Sequence, residues 1–437
     1  MSSYKDVIEW LFNLRRFGSK PGLERISYLL KALGDPHERF RAIHITGTNG
    51  KGSTTAMAAS ILRAAGFKVG MYTSPHLSSF TERIIVDDDR IPVKEVVRLV
   101  EEIRPIAEEM EGKPELGHPT FFEVTTAIGF EYFAEQGVDL AVVEVGMGGK
   151  LDATNVVHSL VSVITNVSLE HTEVLGKTVL EIAEKKAGII KEGAPLITAA
   201  EQPEVLKLFE KICRERGSEM FIVGRDIRYR RLRHSLEGQW FNLEGLRGVY
   251  ENLHIRLLGR HQLRNASCAV GAVEALSLHD IEIPEKAIRE GLSKARWPGR
   301  LEVVQRRPLV VLDCAKDPKA AENLSKVIQE EFDYNRLIIV VSISSDKDIP
   351  SMIDSLSRVG DYFIVTRHGV MGRAADPAVI AGELKRNSKP YEIVEGVGEA
   401  VERALEMAGE RDMILITGSV FTVGEARERW FKPPNEI

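Results

Sequence analysis

A chain of 437 residues is long enough for two or three domains, each with its own core. Its 43% hydrophobic and 28% charged residues are ordinary for a globular protein, and a formal net charge of -6 gives no bulk attraction to nucleic acid or to an anionic membrane surface. Three scattered cysteines, Cys213, Cys268 and Cys314, form no CxxC pair, which argues against a disulfide framework or zinc site and points to a reducing cytoplasm; no signal-peptide pattern or transmembrane run interrupts that reading.

Apolar spacing predicts helices over Tyr4 to Leu14 and Leu23 to Leu33, joined by a basic turn carrying Arg15, Arg16 and Lys20. That turn is either a solvated connection or a contact for an anionic substrate. Ala42 to Ile45 then reads as a strand that opens into GTNGKGST and a helix from about Ser53. Strand, glycine loop and helix together gather backbone N–H groups at a helix N-terminus, and Lys51 adds a cation, so a triphosphate is the expected guest. Gly52 between Lys51 and Ser53 marks a subtype of the general phosphate loop.

A short strand, Lys68 to Thr73, leads into a loop rich in Ser, Pro and His. Ser74 there offers a hard oxygen suited to Mg²⁺, although taken alone it reads as a turn residue. Val93 to Glu111 is expected as an exposed charged helix and Phe121 to Gln136 as a buried one. The run Leu140 to Val143 fits a doubly covered parallel strand, with Glu144 at its carboxyl end, where it either serves a nucleotide's metal or caps the GMGG turn. A further strand, Leu160 to Asn166, carries Glu170 and His171 to the same edge, and Thr178 to Lys191 reads as a helix bearing Lys185 and Lys186. After another αβ unit (Pro195 to Val223), Arg225 to Arg256 alternates as β-hairpins do, its arginines fitting a solvent face. An Ala-rich helix within Leu257 to Leu276 and a boundary at Trp297, Pro298 and Gly299 precede a second α/β region with strands at Leu309, Leu337, Tyr362, Tyr391 and Met413 and no phosphate loop.

Nine segments, FGSKPGLERI, TGTNGKGST, TSPHLSSFTERI, VVEVGMGGKLDATN, TNVSLEHTEVLG, KKAGIIK, LLGRHQLRNA, WPGRLE and TGSVFTVGEAR, occur in the order seen in the folylpolyglutamate synthase/dihydrofolate synthase branch of the Mur ligase superfamily, which the whole chain resembles. The resemblance implies an α/β protein with a central P-loop ATPase domain (residues 1–297, with a small β subdomain at about 225–256) and a C-terminal Rossmann-like domain (298–437). It implies an ATP-dependent amide ligase, cytoplasmic and monomeric, that adds L-glutamate to dihydropteroate or folate through an acyl phosphate. By likeness, Thr48, Asn49, Gly50, Lys51, Gly52 and Ser53 hold the triphosphate and Ser74, Glu144 and His171 ligate magnesium, two ions being expected. By the same likeness Lys186 aligns with the lysine carbamylated in this superfamily, Asn265 and Arg300 would contact ATP from the far side of the cleft, Asp313 would lie near its ribose or the hinge, and Lys316 and Ser419 would face the amino acid.

The chain departs from that pattern in four places. DCAKDP replaces DGAHNP, so Lys316 stands for a histidine; Glu170 stands for Asp, Lys185 for Glu, and Lys150 for Arg. An ammonium at position 316 is a point charge of longer reach, which leaves room for another amino acid or pterin acid. The phosphate loop with Glu144 alone would also suit an ATPase that makes no amide bond, a reading against which the second domain argues.

Overall fold

The computed structural model describes residues 3–14, 21–370 and 372–432. The basic turn around Arg15, Arg16 and Lys20 lies outside them. The first sheet contains β1 (Arg41–Thr46), β2 (Val69–Tyr72), β3 (Ile84–Val86), β4 (Asp89–Arg90), β5 (Leu140–Glu144), β6 (Ser159–Ile164), β7 (Leu196–Thr198) and β8 (Met220–Ile222). Their order is β4-β3-β2-β5-β1-β6-β7-β8, parallel except that β3 runs antiparallel to both β2 and β4. The chain leaves β1 toward β2 on one side and later fills the other side with β6 to β8. The carboxyl end of β1 is therefore a switch point, the crevice where open α/β sheets hold ligands.

Registry delivers residues to that crevice. Ile45 of β1 pairs with Glu144 of β5, and Thr46 pairs with Ile164 of β6, so the phosphate loop, Glu144 and the segment after β6 leave the sheet side by side. Continuous burial of β1, β5 and β6 follows from helices on both faces. One face is covered by helices Lys51–Ala64 and His261–Glu274, the other by Tyr4–Asn13, Glu24–Ala32, Val93–Glu111 and Phe121–Glu135.

The helix Val93–Glu111 is amphipathic, which corrects the expectation of an exposed one: Val96, Leu99, Val100 and Ile103 are buried beneath its charged outer face. The helix expected to reach Lys191 stops at Ala187, where Gly188 serves as C-cap.

A three-stranded antiparallel sheet follows, β9 (Arg228–Ser235), β10 (Gly238–Glu244) and β11 (Val249–Ile255), in the order β11-β10-β9. The third sheet contains β12 (Glu302–Arg306), β13 (Leu309–Leu312), β14 (Leu337–Val341), β15 (Tyr362–Val365), β16 (Tyr391–Ile393) and β17 (Met413–Thr417), in the order β12-β13-β17-β14-β15-β16. It is parallel apart from β12, an antiparallel edge strand that sequence patterning did not mark because its residues are only half-buried. Leu258 and Leu236 pack into the core of this third sheet, and Leu77 packs against its other face. No helix among the described residues is long and apolar enough to cross a membrane.

Candidate active site

The phosphate loop is shaped by glycine. Gly50 caps the helix Lys51–Ala64 with φ 88°, a left-handed conformation that an L side chain resists, and a Cβ there would overlap the Asn265 amide. A Cβ on Gly52 would lie 2.6 Å from the Trp297 ring. The segment after β6 braces the loop: Asn49 N–H donates to Asn166 Oδ1 (2.9 Å), Asn166 Nδ2 donates to Asn49 O (2.9 Å), and Thr48 Oγ1 donates to Ser168 O (3.1 Å). Lys51 folds back, its Nζ donating to Gly47 O at 2.8 Å and Thr48 O at 3.1 Å. Its ammonium is thus held at the loop, and Ser53 is buried in the first helical turn behind it.

Glu144 is 4% exposed, and its Oε2 accepts the Ser74 N–H at 3.0 Å. Burial pushes its carboxyl above the usual range, against Lys51, the Ser74 N–H, Arg300 and Lys316. The other carboxylate oxygen accepts no hydrogen bond among the described residues. A buried carboxylate with open lone pairs beside a serine hydroxyl is a hard-oxygen donor set that fits Mg²⁺. His171, in left-handed conformation at φ 44°, stands at the rim; desolvation lowers its pKa, Glu170 opposes, and Lys316, Lys347 and Lys51 add to the lowering. No hydrogen bond joins it to Ser74 or Glu144, and no group of three or more His, Cys, Asp or Glu converges among the described residues.

Lys186 is 1% exposed and donates to Glu170 Oε1 at 2.6 Å. Burial lowers its ammonium pKa to about 8, with Glu170 opposing and Lys51 adding to the fall. Burial raises Glu170, but Lys51 and Lys186 outweigh it and leave that carboxyl lowered. A lysine that loses its proton this readily has the nucleophilic amine that carbamylation needs.

From the third sheet, Asp313 accepts the N–H groups of Leu301 (2.9 Å) and Ala315 (2.9 Å), which places it at the junction after Trp297. Burial raises its pKa while Arg300 opposes. Lys316 faces Lys51, Arg300 and Lys347; the crowding of the cleft first, then those cations, lower its pKa. Ser419 is buried and spends its hydroxyl as the N-cap of the helix Val420–Arg427, accepting the Phe421 N–H at 3.2 Å. Lys51, Glu144, His171, Lys186, Arg300 and Lys316 therefore converge. Asn265 supports the loop from behind, while Ser419 lies on a separate helix start.

A cavity of about 950 Å³ adjoins this group at Ser74. Its walls include Arg83, Phe121, Asp152 and Lys185, with Arg373 and Phe421 contributed by the region of the third sheet. Arg83 donates to His76 Nδ1 (2.8 Å) and lies 5.2 Å above the Phe121 ring. Asp152 accepts from Met147 N–H (2.9 Å) and Thr154 Oγ1 (2.6 Å), and burial raises its pKa. Arg83 and Asp152 lie inside the segments TSPHLSSFTERI and VVEVGMGGKLDATN with no spacing that marks either for a role, and Arg373 lies in none of the nine segments.

A phosphate-type loop at the switch point of one α/β sheet, facing Arg300 and Lys316 from a second with a cavity opening beside them at Ser74, is the arrangement expected of a Mur ligase. Residues 45–273 match the Mur ligase middle domain and residues 299–420 the Mur ligase glutamate ligase domain. The chain is 37% identical over 431 residues to dihydrofolate synthase/folylpolyglutamate synthase of Bacillus subtilis, covering 98% of this chain and 99% of that protein. It is 40% identical to a probable bifunctional folylpolyglutamate synthase/dihydropteroate synthase of Haloferax volcanii, covering 98% of this chain but only 50% of that longer protein. The structure of Mycobacterium tuberculosis folylpolyglutamate synthase complexed with ADP superimposes with TM-score 0.91 at 32% identity, covering 99% of this chain and 100% of that one. The chain belongs to the folylpolyglutamate synthase/dihydrofolate synthase family of Mur ligases.

Proposed function

We propose that the chain is an ATP-dependent ligase that joins L-glutamate to dihydropteroate, to folates, or to both. One observation carries this reading: Ser74 both lines the 950 Å³ cavity and donates its N–H to Glu144, so an acid held in the cavity meets the phosphate loop at a single point. Phe121 and the Arg83 guanidinium above it suit a flat heteroaromatic ring, and Asp152 offers a buried acceptor for its N–H groups.

A carboxylate is a poor electrophile until an oxygen attacks the γ-phosphorus of ATP and ADP leaves, giving an acyl phosphate. The glutamate amine then attacks the acyl carbon, and phosphate departs as the amine loses its proton. Lys51 and Arg300 offset the repulsion between carboxylate and triphosphate. Ser74, Glu144 and His171 are the residues that would hold magnesium, which when bound supplies charge neutralisation at the phosphates. Lys186 as its carbamate would add an anion for a second ion. Thr48, Asn49, Gly50, Gly52 and Ser53 bind the phosphates, Asn265 and Asp313 frame the nucleotide, and Lys316 and Ser419 meet the amino acid. Two units, 1–297 and 298–437, close over ATP as a monomer in the cytoplasm and keep water from the acyl phosphate.

The test is phosphate release with Mg·ATP and L-glutamate, using dihydropteroate or tetrahydrofolate and weighing the products. A gain of one glutamyl unit on dihydropteroate supports the synthase step, and serial gains on tetrahydrofolate support the polyglutamate step. ATP turnover that ignores both acids would replace the ligase by an ATPase, and release with an amine other than glutamate would transfer the choice of acceptor to Lys316.

A further inference from the structure

The cavity is not built by one part of the chain. Almost all of its wall comes from the loops around the first sheet, but Arg373 and Phe421 reach in from the segments after β15 and β17. Arg373 lies with its guanidinium carbon 5.8 Å from the Phe421 ring centre, and His368 packs against the same ring at 5.2 Å. The backbone beneath is pinned: Ser345 N–H donates to Arg373 O at 2.8 Å, and Ser344 forms an isolated antiparallel bridge with Ala374. Arg373 is therefore aimed by its neighbours, while its guanidinium makes no hydrogen bond or ion pair among the described residues. Asp346, the carboxylate that acts on it through space, is itself paired with Lys347 at 2.7 Å.

The other cations of the wall differ. Arg83 is buried and bonded to His76, and Lys185 donates to Val174 O at 2.7 Å. Lys150 is exposed and its ammonium makes no hydrogen bond or ion pair among the described residues, but it is a point charge on a flexible stem whose root packs on Gly188. A planar fork held over an aromatic ring and lacking an acceptor is the group that best recognises a carboxylate, through two parallel N–H donations.

The two acids of the proposed reaction differ in just this chemistry. Dihydropteroate has one carboxylate, which reacts. A folate that already carries glutamate has a second, non-reacting α-carboxylate, four carbon–carbon bonds from the reacting γ-carboxyl. That second anion stays in the cavity beside the reacting carboxyl, and of the two arginines in the wall Arg83 is bonded to His76 while Arg373 has no hydrogen-bond or ion-pair partner among the described residues. We propose that Arg373, beside Phe421, binds the non-reacting α-carboxylate of a glutamylated pterin substrate and so sets the preference of this site for chain extension over first glutamylation. This rests on the ligase reading above. It makes Arg373 a specificity residue and predicts that neutralising either partner of the pair has the same effect as neutralising both.

The experiment compares kcat/KM for tetrahydrofolate and its α-carboxamide, which loses only the non-reacting charge, in the wild-type protein, Arg373→Gln, Arg373→Lys and Lys150→Gln. Thermal melts establish that each variant is folded. The wild type is expected to prefer the acid by about 10-fold to 100-fold, the range of one charge-assisted pair. In R373Q that preference should fall to within about 2-fold, carried by KM, with R373K between. Retention of the full preference in R373Q would overturn the proposal, as would its loss in K150Q. A wild type that turns over dihydropteroate but no folate would overturn it too while leaving the ligase reading intact. Silence toward dihydropteroate and folate alike would remove the ligase reading and this proposal together.

Discussion

Lys186 illustrates how a single residue acquires chemistry from its surroundings. In the sequence it is one of two adjacent lysines, and most such pairs are solvated; in the fold its stem is sealed and its amine meets Glu170 at 2.6 Å. Replacing it by alanine should lower ligase turnover on the order of 10-fold to 100-fold, with partial recovery in formate; full activity in Lys186→Ala would end the carbamate assignment. His44 gives a residue-scale test of stability. It is fully buried on β1, its Nε2 is 2.8 Å from Thr154 Oγ1, and burial, then Lys191, lower its pKa from 6.5 to about 3. Between those values the unfolded chain binds a proton that the folded chain refuses, so stability is lost as pH falls below 6.5. The loss attributable to His44 between pH 7 and pH 5 is about 2 kcal/mol. Urea unfolding at both pH values should show that His44→Asn is less sensitive to acidification by that amount; equal sensitivity would refute the assignment.

At the scale of elements, the helix Lys51–Ala64 is buried on all sides, and its small residues Ala56, Ala58, Ala59 and Ser60 are what permit that. The helix Glu285–Lys294 approaches so closely that Ser60 Oγ donates to Gly291 O at 2.7 Å. A Cβ on Gly291 would fall 2.6 Å from Ile61 N, a backbone atom that cannot turn aside. Gly291→Ala should therefore cost about 1–3 kcal/mol, read as a lower urea midpoint, even though alanine is the better helix former. A neutral or stabilising result would mean that the two helices separate readily. This is also where sequence reading was weakest. Periodicity located the helices and strands; in Val93–Glu111 the helical spacing of Val96, Leu99, Val100 and Ile103 already carried the buried stripe, which the many charges of the helix masked.

Across the whole molecule, the small β9–β11 sheet ties the first sheet's region to the third. Arg231 on β9 pairs with Glu331 at 2.8 Å, the two side chains being 10% and 4% exposed, and Glu331 also accepts the Gly259 N–H at 3.2 Å. Removing one partner of a buried pair strands the other charge, so Glu331→Ala should cost about 3–5 kcal/mol. Calorimetry should then show the third-sheet region melting ahead of the rest; a single transition at the unchanged temperature would show that this tie contributes little. What the sequence determined by itself was local: the glycine loop around Lys51, the strand ending in Glu144, the order of the motifs and thus the family, since spacing and residue type along one segment suffice for each. Only the tertiary structure decided the cavity. Arg83 and Asp152 carried no separate signal within their motifs, and Arg373 comes from the segment after β15 and Phe421 from the helix after β17. A site made between segments exists only once strand order and register have placed them side by side.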